Sequence, residues 1–185
     1  MAVTTLDPRT ALVLIDLQKG ITALPTAHPA QEIVERSARL AAAFRLRGKP
    51  VVLVNVKGGA PGRTEASPGG GGARPADWAE LRPELDARES DILVTKQQWG
   101  AFHGTALDLE LRRRGVTQVV LGGIATSFGV ESTARAAHEH GYHVTVVTDA
   151  VTGPEEAAHR HSLEHVFPRL GETGTTEDVL TLLDA

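Results

Sequence analysis

Five short aliphatic runs, separated by helix-patterned or glycine-rich chain, constrain the fold of this 185-residue sequence more than any other feature. They lie at 11–15, 51–56, 92–95, 119–121 and 143–148. Continuous branched apolar residues, without polar alternation, suit strands buried on both faces. Between the first two runs, Ala30–Leu46 sets Ile33, Ala38, Leu40, Ala41 and Phe44 among Glu32, Glu35, Arg36 and Arg39. That is an amphipathic helix, closed by Gly48 and Pro50. Residues 107–115 repeat the pattern with Leu107, Leu109 and Leu111 and end in Arg112, Arg113, Arg114 and Gly115, a solvated basic helix end with a glycine cap. Residues 129–140 carry Val130, Ala134 and Ala137 at helical spacing. Thr152 to Glu155 reads as a capping box opening a helix to about Val166, and Thr175 to Asp178 as one opening a last helix through Leu183. A short helix is predicted at 78–85, and a weak sixth strand between the last two helices.

Strands alternating with helices predict an α/β fold, a parallel sheet covered on both faces with right-handed crossovers. The length suits one domain over residues 1–185, and no internal repeat is visible. Residues 57–75 are the exception to the alternation, rich in glycine and proline with four glycines at 69–72. So long a connection predicts a surface lid or a disordered excursion, and it contains no P-loop signature.

Composition removes several functions. The net charge of -4, with basic residues scattered along the chain, argues against nucleic-acid partners. No apolar run approaches a membrane span and no signal peptide is evident, so a cytoplasmic protein without membrane partners is expected. The absence of cysteine removes disulfides, thiolate metal sites and a thiol nucleophile.

Chemistry in open α/β sheets gathers at the C-terminal strand ends. The first strand delivers Asp16 there and the third delivers Lys96, with Trp99 and Phe102 just beyond. The fourth enters the turn Gly122-Gly-Ile-Ala-Thr-Ser-Phe-Gly129, which leaves as a helix. A turn of this kind aims backbone N–H groups above the sheet edge and suits an anion or a developing oxyanion. His161 and His165, four apart on one helix with His159 nearby, have zinc-helix spacing without a further ligand motif, and a surface helix face is the expected role.

Three segments, Ala11 to Gln18, Thr95 to Leu107 and Gly122 to Arg135, resemble the isochorismatase-like hydrolase superfamily, and Gly141-Tyr142 and Asp149-Ala150 extend the likeness over the whole chain. The resemblance implies a three-layer Rossmann-like fold with a parallel sheet of about six strands. It implies a catalytic pocket gathering Asp16, Lys96 and position 129, a cis peptide at Ile124-Ala125, and an oxyanion hole from the N–H groups of Ala125 and Gly129. Around a small-molecule substrate it places Gln18, Asn55, Trp99, Phe102, Thr126 and Phe128. A homo-oligomer of two or more chains is implied as well.

The sequence departs from the superfamily's amidases at the decisive position. Where they resemble one another in a nucleophilic cysteine, this chain has Gly129, so covalent thiol catalysis is excluded. Ser127 and Ser132 are displaced along the turn and point elsewhere. The amidases' metal-binding Asp-x-His pattern reads here as Asn55-Val-Lys57, so no metal and no other cofactor is expected. True isochorismatases resemble this pattern, with glycine in place of the thiol and an aspartic acid that protonates a vinyl ether. The second strand nevertheless lacks the Gln-Pro-Gly associated with them.

A non-covalent hydrolase of a small, carboxylated metabolite is the leading expectation. A water-activated amidase and a catalytically silent binding or scaffold member are the alternatives. Burial would raise the pKa of Asp16 while a close Lys96 would lower it, and sequence leaves open whether Asp16 acts as acid or base.

Overall fold

Six parallel strands in the order β3-β2-β1-β4-β5-β6 make up the sheet of the computed structural model, which describes residues 3–65 and 74–185. The strands are β1 (Thr10–Ile15), β2 (Val51–Val56), β3 (Ile92–Lys96), β4 (Gln118–Ile124), β5 (His143–Thr152) and β6 (Glu172–Gly174). Strand order reverses between β1 and β4, so their C-terminal ends diverge and open a crevice there. The glycine run at 69–72, within the expected lid or excursion at 57–75, lies outside the described residues.

The helices are α1 (Lys19–Thr22), α2 (Ala30–Leu46), α3 (Leu107–Arg113), α4 (Glu131–Glu139), α5 (Glu156–His161), α6 (Phe167–Leu170) and α7 (Thr176–Asp184). Successive side chains of β1 serve opposite layers, as its unbroken aliphatic run requires. Ala11, Val13 and Ile15 join Leu107, Leu111, Ala134, Ala137 and Phe167, whereas Leu12 and Leu14 join Ile33, Leu40, Phe44, Val179 and Leu183. Within the described residues no helix is long and apolar enough to cross a membrane.

Four local expectations need correction. Residues 78–85 form turns and a 3₁₀ segment, Pro83–Leu85, because Pro83 removes a helical donor. The expected strand at 143–148 continues to Thr152, past Asp149, through a register shift against β4 between Leu121 and Gly123. Thr152 therefore belongs to a strand, and the expected capping box at 152–155 does not form. The helix expected from 129 opens as a π-helical turn, Thr126–Val130, before α4. By contrast the box at the last helix is present, with Thr175 Oγ1 accepting from Asp178 N. Asp149 supports the same helix, its Oδ1 accepting from Thr176 N at 2.7 Å.

Candidate active site

The register of β1, β3 and β4 brings together Asp16, Lys96 and Gly129, the three positions expected to carry the chemistry. Asp16 follows β1 in a left-handed conformation, φ +51°, a region that aspartate tolerates better than most residues. Beside it β4 must approach closely, and Gly123 allows that. With φ +119° it would place a Cβ 2.1 Å from Ile15 O, so no side chain fits. Lys96 ends β3, its ammonium turned inward across β2.

Lys96 Nζ donates to Asp16 Oδ2 at 2.7 Å and to Gln98 O at 3.1 Å. Asp16 is 5% and Lys96 2% exposed, which makes this a buried ion pair. Asp16 Oδ1 has no hydrogen-bond partner, so neither Ser127 nor Ser132 engages it. Burial raises the Asp16 carboxyl to about 6 against the opposing pull of Lys96. A carboxylic acid held near neutrality with one free oxygen can deliver or accept a proton there.

Gly129 faces the same carboxylate. A Cβ built there would lie 3.3 Å from Asp16 Oδ2, 3.4 Å from Trp99 O and 2.9 Å from the γ-methyl of Ile15. The direction is that of a side chain aimed at Asp16, and the space is occupied on its Ile15 side. Gly129→Ala is therefore expected to remain folded but to lose about 1–3 kcal/mol in urea unfolding, from overpacking against a β-branched core residue. Unchanged stability would show that Ile15 yields freely.

The turn that carries Gly129 begins at a cis peptide, Ile124-Ala125. Ala125 O accepts from both Phe128 N and Val130 N at 3.1 Å, which fixes the turn's curvature. Thr126 is fully buried, and its Oγ1 lies 2.8 Å from His159 Nδ1 of α5. The ring of His28 packs on His159 with centroids 4.9 Å apart. Burial, and then His28, lowers the pKa of His159 below its usual 6.5. The folded state therefore favours a neutral ring, and its stabilisation is lost as pH falls through the folded value. His159→Leu leaves Thr126 Oγ1 buried without its partner and is expected to cost about 1–3 kcal/mol of unfolding free energy at neutral pH. A loss under half of that would mean the turn is held by its backbone alone.

The expected substrate-pocket residues divide. Trp99 and Phe128 are 63% and 39% exposed and meet edge to face with centroids 4.8 Å apart. Gln18 and Asn55 are engaged by the protein itself. Gln18 accepts from Val56 N at 2.8 Å and donates to Trp78 O at 3.1 Å, while Asn55 donates to Ala79 O at 2.8 Å and accepts from Thr95 Oγ1 at 2.7 Å. Both clip residues 78–79 to the sheet. Phe102 is 7% exposed and packs with Tyr142 and His140 in the layer of α3 and α4. Thr126 braces the turn from within. Trp78, whose indole covers Gly20, carries no local signal of that role, and His159, expected near a surface helix face, is instead 5% exposed and bonded to Thr126, since contacts 58 and 33 residues apart leave no trace in local sequence. Among the described residues no group of three or more His, Asp or Glu is placed to hold a metal ion.

Comparison with known proteins gives concordant results. A family profile, the isochorismatase domain, matches residues 10–178. The isochorismatase family protein YwoC of Bacillus subtilis is 46% identical over 178 residues, 93% of this chain and 93% of that one. Ureidoacrylate amidohydrolase RutB of Methylobacterium radiotolerans is 31% identical over 199 residues, 87% of this chain and 74% of the relative. A solved isochorismatase family protein from Burkholderia thailandensis superposes with a TM-score of 0.94 at 43% identity, covering 100% of both chains.

Proposed function

The chain belongs to the isochorismatase family and is a hydrolase, and from that premise we propose that it cleaves a small carboxylated vinyl ether without a covalent enzyme intermediate. One observation carries the proposal, a buried Asp16 carboxyl raised to about 6 with Oδ2 on Lys96 and Oδ1 unpartnered. Asp16 donates its proton to the terminal enol carbon, and the ether-bearing carbon becomes an oxocarbenium ion. Water adds to that carbon and returns a proton to the Asp16 carboxylate. The hemiketal hydroxyl then gives up its proton as the carbonyl forms, and the leaving oxygen takes up a proton as its C–O bond breaks, giving a 2-keto acid and an alcohol, so atoms and charge balance. Lys96 stabilises the carboxylate left after proton transfer, and the N–H groups of Ala125 and Gly129 face the substrate's anionic oxygens. Trp99 and Phe128 flank the entrance.

The pH profile tests this with its sign. A donor that must hold its proton works below the carboxyl's value, so kcat/KM for keto-acid release is expected to fall ~10-fold per pH unit above about 6. The kinship with ureidoacrylate amidohydrolase supports a second reading, in which ionised Asp16 activates water against an amide. That mechanism loses rate on the acid side instead. A panel of vinyl ethers and small amides run across pH therefore separates them, and binding without turnover of any member would favour the silent alternative. A dimer or larger assembly also belongs to this proposal, and light scattering would read it directly.

A further inference from the structure

A cavity lies at the opposite edge of the sheet from Asp16 and Lys96, under the N-terminal ends of β1, β2 and β4. It is an open cavity of about 610 Å³, lined in part by Thr10, Val51 and Val116. A strand the length of β1 spans about 20 Å, which sets the separation from the catalytic edge. Six lining residues are basic, Arg9, Arg45, Arg47, Lys49, Arg88 and Arg114, and Asp91 alone is acidic. That concentration contrasts with a chain whose net charge is -4.

The partners of these cations divide them further. Arg45 is held by the buried Asp91 at 2.7 Å and by Leu85 O, so it is structural. Arg47, Arg88 and Arg114 pair with Asp184, Asp86 and Glu110, which stand outside the cavity lining. Arg9 and Lys49 have no carboxylate partner among the described residues. Arg9 Nη1 donates to Arg114 O and Lys49 Nζ to Pro8 O, each at 3.1 Å. Two cations without counter-charges on one cavity wall are an arrangement that an anion with several acceptor oxygens completes.

We propose that this cavity binds the phosphoryl group of a small phosphorylated molecule. Planar guanidinium forks match phosphoryl oxygens two at a time, and an ammonium adds a point charge. The overall acidity of the chain disfavours a long polyanion, so a compact ligand is the one that fits. The site is independent of the hydrolytic one, and binding there does not require that chemistry.

Calorimetric titration of the whole chain with pyrophosphate at fixed ionic strength tests the proposal, with inorganic phosphate and citrate as comparison ligands. Saturable pyrophosphate binding is expected, tighter than that of either comparison ligand, and at least ~10-fold weaker in Arg9→Gln/Lys49→Gln. Equal affinity in the double variant would overturn the site, and citrate binding as tightly as pyrophosphate would overturn the phosphoryl assignment. Loss of binding in Asp16→Asn would instead place the anion at the catalytic edge. Arg9 is exposed and bonds only a backbone carbonyl, so Arg9→Gln alone keeps the test available should the double variant fail to fold.

Discussion

Asp16→Asn is expected to lower kcat/KM for vinyl-ether hydrolysis by about 10³-fold while leaving the far-UV circular dichroism spectrum unchanged. The amide has nearly the shape of the carboxyl group, so the turn at φ +51° and the contacts with Gly129 are preserved. What it lacks is an acidic proton. No neighbour replaces it, because Lys96 is the partner of Asp16 and neither serine of the turn engages it. The loss should also remove the alkaline fall in rate above about 6, since the group responsible for that titration is gone. Equal rates in the two proteins would remove Asp16 from the mechanism, and a residual rate still falling through about 6 would assign the titration to another group.

Lys96→Met is expected to cost about 3–5 kcal/mol of unfolding free energy at about pH 8, because it strands a buried carboxylate without its counter-charge. The same variant should lose only about 1 kcal/mol at about pH 5, close to the value of one hydrogen bond. The sign follows from proton binding. Asp16 already has a folded-state value of about 6 against a reference of 3.8, so the folded protein holds the proton more tightly than the unfolded chain. Its stabilisation is present below the unfolded value and is lost as pH rises through the folded one. Removing Lys96 takes away the influence that lowers the carboxyl, moving the folded value further up and widening the window in which the neutral acid relieves the charge. Urea unfolding at both pH values reads this directly, and an equal loss at the two would sink it. Combining the change with Asp16→Asn should recover much of the stability lost at the higher pH, as a double-mutant cycle on one buried pair requires.

The strands and the longest helix were legible because their signals are local. Ala30–Leu46 was readable to the residue, since its apolar spacing is amphipathic and closed by Gly48 and Pro50. The last helix was readable from a capping box whose partners are three residues apart. The box at 152–155 misled for the converse reason. Its residues have the right spacing, but pairing of β5 with β4 carries Thr152 into the sheet and overrides the local preference. The site divided in the same way. Asp16, Lys96 and Gly129 stood out at strand ends and in the turn, whereas Gln18 and Asn55 turned out to bind backbone groups of residues 56 and 78–79.

Sequence by itself determined that this chain builds a parallel α/β sheet, that it has no thiol to attack with, and which residues end the strands at the edge that holds the proposed site. Those properties follow from periodicity, composition and the order of the elements. Only the tertiary structure decided that Asp16 and Lys96 pair in a buried site, that the γ-methyl of Ile15 partly fills the space at Gly129, and that His159 braces Thr126. It also decided that basic residues from four separate segments share one cavity at the far edge. Burial and proximity set the protonation of a carboxyl and the field of a cluster, and both arise between groups that chain order keeps far apart.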